Sequence, residues 1–141
     1  MTSVEQWQHL LPHSGAMCLL NGVNHWDEST IVCSAISHCC DDNPLREGGI
    51  LPVHVGIEYA AQAMAIHGSL CAAEQGEPRR GYLAVLSRVE WMVNRLDQLD
   101  DVLSIRAEKL MSTADGSNYL FQLHCQEQLL LEGEAVVVLQ P

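Results

Sequence analysis

Basic residues are scarce in this chain. Lysine and arginine number seven against eighteen aspartates and glutamates, giving a formal net charge of −11 and a pI near 4.8. Such a chain lacks the basic footprint that neutralises phosphates, which excludes nucleic-acid binding. Six cysteines are present (Cys18, Cys33, Cys39, Cys40, Cys71 and Cys125), but none forms a C-x-x-C pair. A paired redox motif is therefore excluded. His38-Cys39-Cys40-Asp41 has no second Cys/His pair at zinc spacing, so no metal site is expected. No apolar run approaches 18 residues, so no membrane span is expected. The opening MTSVEQWQHLL has no basic n-region and only a short apolar run, so no signal peptide is expected, and free thiols fit a cytoplasmic location. Repeats, low-complexity tracts, Gly-rich phosphate loops and Gly-x-Ser-x-Gly elbows are all missing, and no cofactor is expected.

What is present points to one globular domain. The 141 residues are 48% hydrophobic and 18% charged, and a chain of this size buries roughly 68% of its unfolded surface. So few charges imply more buried surface than a monomer needs, hence oligomerisation. The basic residues are also unevenly placed. Only Arg46 lies outside residues 79–109; the others are Arg79, Arg80, Arg88, Arg95, Arg106 and Lys109. A basic patch on an acidic body suits an acidic partner or a phosphate-bearing ligand; solvated loop and strand charges are the alternative.

Residues 53–75 carry the clearest element. VHVGIEYAAQAMAIHGSLCAAEQ has no proline, is rich in alanine and is apolar nearly all round, the pattern of a buried helix roughly 30 Å long. Pro52 opens it, and Gly76 with Pro78 closes it. A short helix is expected over 3–11 with Ser3 as N-cap. MCLLNGVNHW reads as a strand broken at Asn21-Gly22, and residues 30–37 as an alternating strand. Residues 41–52 are loop. LAVLSRVEWMV and residues 102–110, 118–126 and 128–139 read as strands at hairpin spacing, with turns at Asp97–Asp101 and Asp115–Ser117. Two strands, a buried helix and about four more strands make an α+β domain in which a curved antiparallel sheet wraps one long central helix.

That order is the hotdog fold, and the local sequences resemble the beta-hydroxyacyl-ACP dehydratases (FabA/FabZ-like) across most of the chain. LLPHSGAMCLLNGV is similar to their opening. ILPVHVGIEYAAQAMA is similar to their central-helix motif, an apolar residue and proline followed six residues later by a carboxylate, then Ala and Gln; here these are Pro52, Glu58, Ala61 and Gln62. RRGYLAVLSRVEWMVNRLDQLDDVLSIRAEKL is similar to the strand pair that follows. The resemblance implies a dimer with substrate tunnels between subunits, acyl-ACP or acyl-CoA as partner, and loss of water from a 3-hydroxyacyl chain to give a trans-2-enoyl chain.

One departure matters. The family's catalytic histidine lies fourteen residues before the helix carboxylate, and counting back without gaps from Glu58 gives Pro44. The family's glycine at the helix start is Val53 here. The acid has a counterpart and the base has none, a pattern that resembles the atypical dehydratase-like subunits of bacterial aryl-polyene pathways. Elimination needs a base for the C2 proton and an acid for the hydroxyl. Glu58, on an apolar helix, suits the acid. His54, one turn earlier, and His13 are the candidate bases. Unpaired amides near Val53 and His54 are candidate donors to the thioester carbonyl, with Pro52, Val53 and Gln62 lining the substrate. Arg79, Arg80 and Arg88 are candidates for carrier docking. Each has a structural alternative: Glu58 an interface ion pair, His54 a solvent-facing helix start, His13 a turn contact. His67, about 180° round the helix from Glu58, is expected to face the sheet; Tyr59 and Trp91 are expected in core or interface. Three functions stay open: a dehydratase with an unconventional histidine, a non-catalytic subunit whose hotdog partner supplies the histidine, and a thioesterase using Glu58.

Overall fold

A computed structural model describes residues 2–3, 18–76, 79 and 81–140. Seven strands form one antiparallel sheet: β1 (Thr2–Ser3), β2 (Gly22–Trp26), β3 (Thr30–Ala35), β4 (Gly81–Trp91), β5 (Leu103–Ser112), β6 (Gly116–Cys125) and β7 (Gln128–Leu139). Their order across the sheet is β1-β2-β3-β5-β6-β7-β4. The long helix α1, Gly56–Glu74, packs against β3 to β7. This is the hotdog architecture.

The period-two pattern of the strands explains which face meets the helix. Ile31, Cys33 and Ala35 on β3, Leu103, Ile105 and Ala107 on β5, and Tyr119, Phe121 and Leu123 on β6 are all fully buried, while the intervening residues, apart from the buried Ser34, are not. Fully burying side chains of this size contributes roughly 1.5–3 kcal/mol each. The β2–β3 turn is held by Asp27, whose Oδ1 accepts from the Ser29 and Thr30 amides, both at 2.9 Å. Those bonds, the Ser29 amide foremost, hold the Asp27 carboxyl down to about 2.

The helix is buried on nearly every side, as its composition requires: Tyr59, Ala60, Ala63, Met64, Ile66 and His67 have no exposed surface. Its first turn is tighter than expected. Val53–Val55 is a 3-10 turn, and the α-helix begins at Gly56. Pro52, at φ −62° and ψ 150°, is extended, and the chain tightens before it can adopt α geometry. At the far end Gly76, at φ +81°, supplies the left-handed residue that stops the helix.

Two expectations are corrected. Ser3 pairs with Gly22 across β1 and β2, and the short helix expected to follow it falls on residues 4–11, which lie outside the described residues. Residues 18–21 form no strand, because the Leu19 amide leaves the sheet to donate to Gln62 Oε1 at 2.9 Å. Asp97–Asp101 makes no hairpin. β4 pairs with β7 and β5 with β3, so residues 92–102 cross from one side of the sheet to the other. The Leu51 amide donates to Asp97 Oδ1 at 2.9 Å, and Arg95 binds both Asp97 oxygens. These bonds, the Arg95 guanidinium first, hold Asp97 well below the usual carboxylate range.

Candidate functional site

Glu58 lies in the first turn of α1, half-buried and engaged by contacts of its own. Gln62, one turn further on, is buried and its amide oxygen is occupied by Leu19. It therefore orients the chain before β2. His54 is exposed in the 3-10 turn, so it stands where a solvent-facing helix start or a partner's surface would meet it. His13 lies outside the described residues.

The expected unpaired amide at Val53 is corrected. Its N–H donates to Asn94 O at 3.0 Å, and Pro52 forms an antiparallel bridge with Arg95. The returning strand end uses the donor that an oxyanion would need.

The loop before the helix, where the family keeps its histidine, is held in one shape. Tyr59, adjacent to Glu58, is fully buried beneath it. Asn43 Nδ2 donates to Tyr59 Oη at 3.1 Å, Tyr59 Oη lies 2.8 Å from Ser37 Oγ, and Ser37 Oγ donates to Leu19 O at 2.7 Å. Asn43 also spans Ser37 O at 2.9 Å and the Leu45 amide at 2.9 Å. Arg46 closes the loop from outside, donating to the carbonyls of Cys40, Gly49 and His38 at 2.9, 2.8 and 3.1 Å. Pro44 stands exposed within this frame, a residue with no proton to give or take. A loop fixed by this many bonds does not swing another base into place at small cost.

The His38–Asp41 cluster is dispersed. His38 is fully buried, whereas Cys39, Cys40 and Asp41 are exposed. His38 Nε2 lies 3.4 Å from Cys39 Sγ, and burial pushes the imidazole pKa down. Cys18 is half-buried, and burial raises its thiol. Tyr59 is core as expected; Trp91 is 57% exposed, which removes the core alternative and leaves the interface one. Sequence reasoning missed Asn43, Ser37 and Arg46, whose partners are carbonyls and a phenol assembled only by folding. The one legible signal was Asn-Pro within a loop.

The three cations considered for docking separate. Arg79 is turned inward, with Nη2 donating to Ala114 O at 2.6 Å. Arg80 lies outside the described residues. Arg88 is exposed on β4, 3.3 Å from Glu134, at a bulge where its φ reaches +54°.

β4 ends the described sheet, so one side of this eleven-residue strand has no partner strand among the described residues. Val85, Leu86 and Trp91 on it, and Met92 just beyond, are exposed. Among the described residues no helix is long and apolar enough to cross a membrane.

A family model described as ApeP-like, ApeP dehydratase, matches residues 5–141. Among solved structures, the dehydratase heterocomplex ApeI:P from Xenorhabdus doucetiae superposes with a TM-score of 0.83 at 23% identity, covering 95% of this chain and 90% of that one. A thioesterase from Haemophilus influenzae superposes at 0.71 with 13% identity, over 99% of this chain and 92% of that one. A thioesterase mutant from Pseudomonas aeruginosa does so at 0.67 with 12% identity, over 100% and 96%. A search of curated proteins finds no match. At these identities the structural likeness speaks for the fold.

Proposed function

Since the chain belongs to the ApeP-like dehydratase family, we propose that it is one subunit of a heteromeric hotdog dehydratase acting on 3-hydroxyacyl thioesters, contributing Glu58 as the acid while a second hotdog subunit brings the histidine base. The observation that carries this reading is the locked loop. At the position that aligns with the family's histidine stands Pro44, and Asn43, Tyr59 and Arg46 hold the backbone around it. A homodimer would then hold two acids and no base from this loop. The dehydratase heterocomplex that superposes on the chain supports a second subunit, and the exposed β4 edge offers a place for it by strand pairing. The product is a trans-2-enoyl thioester, formed as the base removes the C2 proton and Glu58 protonates the departing hydroxyl.

The test is reconstitution. The chain, a co-expressed hotdog partner and the two together are incubated with a 3-hydroxyacyl-ACP, and enoyl product and free thiol are followed. Dehydration by the mixture, lost by roughly 100-fold or more in Glu58→Gln, is expected. Full dehydration by this chain alone would restore an unconventional base such as His54 or His13. Thiol release dependent on Glu58 would make it a thioesterase.

A further inference from the structure

The end of the molecule remote from Glu58 holds a second, unassigned site. Cys71 lies thirteen residues along α1 from Glu58, roughly 20 Å at 1.5 Å per residue. There the helix end, the tips of β5 and β6 and the end of β7 enclose a cavity of about 230 Å³. Two of the chain's seven basic residues, Arg79 and Lys109, line it, together with the hydroxyls of Ser112, Thr113 and Ser117. Among the described residues no carboxylate lines it. In a chain of net charge −11, two cations beside hydroxyls with no acid between them form a local field of the opposite sign.

Neither cation is fully used by its neighbours. Arg79 is clamped by Ala114 O, and its Nη1 is 3.7 Å from the exposed Asp115 carboxylate. Its Nε is buried and has no hydrogen-bond partner. A guanidinium N–H withdrawn from water without an acceptor is costly, and such a group calls for an explanation. Lys109 makes no salt bridge among the described residues. The nearby thiol is not its counter-ion, because burial raises the Cys71 pKa more than Lys109 lowers it. Helix termination does not account for the pair either: Cys71 O and Ala73 O already accept from the Gln75 and Gly76 amides at 3.2 and 3.0 Å. Glu28 and Glu74 line the adjoining depression beyond Cys71, outside the cavity.

We infer that this cavity binds a small phosphate group, either the free ion or a compact phosphate monoester, between Lys109 and the guanidinium of Arg79, with the surrounding hydroxyls as further donors. Val137 and Leu139, also in the lining, give an ester's carbon body an apolar surface. The site is separate from the proposed acid, and Glu58 variants leave it intact.

Thermal unfolding of the 141-residue chain tests this, with sodium chloride replaced at constant ionic strength by sodium phosphate or by glycerol phosphate, and ³¹P line broadening as a second readout. A rise of about 2 °C or more at 10 mM phosphate is expected, with Lys109→Met weakening the apparent affinity at least tenfold. Arg79→Lys, which keeps the charge and removes the planar guanidinium fork, is the milder variant should Lys109→Met fold poorly; it too should weaken binding. A response to inorganic phosphate alone assigns the free ion, and a response to both assigns the ester. A shift matched by chloride, or one that persists unchanged in both variants, overturns the site.

Discussion

Nine residues separate Glu58 from His67, half a revolution of α1, and the two side chains meet opposite surroundings. Glu58 is half-buried, whereas His67 has no exposed surface. His67 Nε2 donates to Asp27 O at 2.7 Å, and Nδ1 lies 2.5 Å from Tyr119 Oη, which donates to it. Burial favours that neutral ring and pushes the pKa down, partly offset by the Asp27 carbonyl. His38 is shifted the same way, again chiefly by burial. The unfolded chain takes up protons below about pH 6.5 while the folded chain does not. Stability is thus complete above that pH and declines as pH falls towards the folded pKa values. Urea midpoints measured from pH 7.5 to 5 should decrease, with a shallower decline in His67→Gln and in His38→Gln; parallel slopes in all three proteins would refute the assignment. The counting argument that put His67 against the sheet held because a helix has a fixed pitch. Tyr59 gave no such signal for its partners. Asn43 is sixteen residues away in sequence, and nothing but the folded loop brings the two together.

At the scale of elements, the helix was legible and its surroundings less so. An alanine-rich, proline-free, all-round apolar segment has few alternatives to a buried helix, and the structure puts α1 there. β4 and β5 illustrate the opposite case. Both read correctly as strands, but the polar residues between them looked like a hairpin turn. They are a crossover, because strand order depends on how the sheet closes round α1, a long-range property. The close approach of helix and sheet turns on Gly56. A Cβ at that position would meet Leu123 Cδ2 and Leu131 Cδ2, each at 2.9 Å, inside a dry core. Gly56→Ala should destabilise the fold by about 1–3 kcal/mol through overpacking, read as a lower urea midpoint at unchanged slope. A midpoint equal to wild type would mean that the two leucines yield freely. The candidate acid was legible from the motif spacing, as was the missing base. The engaged Val53 amide was not, because its acceptor, Asn94, arrives from forty-one residues downstream.

The whole molecule is acidic, and its cations serve different ends. With Arg79 turned inward, Arg88 is the described member of the docking trio that remains exposed, 3.3 Å from Glu134 on the neighbouring β7. If an acidic acyl carrier docks there, Arg88→Glu should raise KM about tenfold at low salt and less at high salt, with kcat unchanged. Steady-state kinetics of the reconstituted pair with carrier-linked substrate measure this, and an unaltered KM would dismiss Arg88 as a docking contact. Among the described residues the two margins of the sheet differ greatly in length: β4 runs for eleven residues and β1 for two. Were the proposed partner to pair along the long margin, the joined ladder would present only the short described margin at each extremity, a poor template for another chain. Association of that kind would halt after a single event, so the geometry that would invite a companion would also guard against runaway polymerisation.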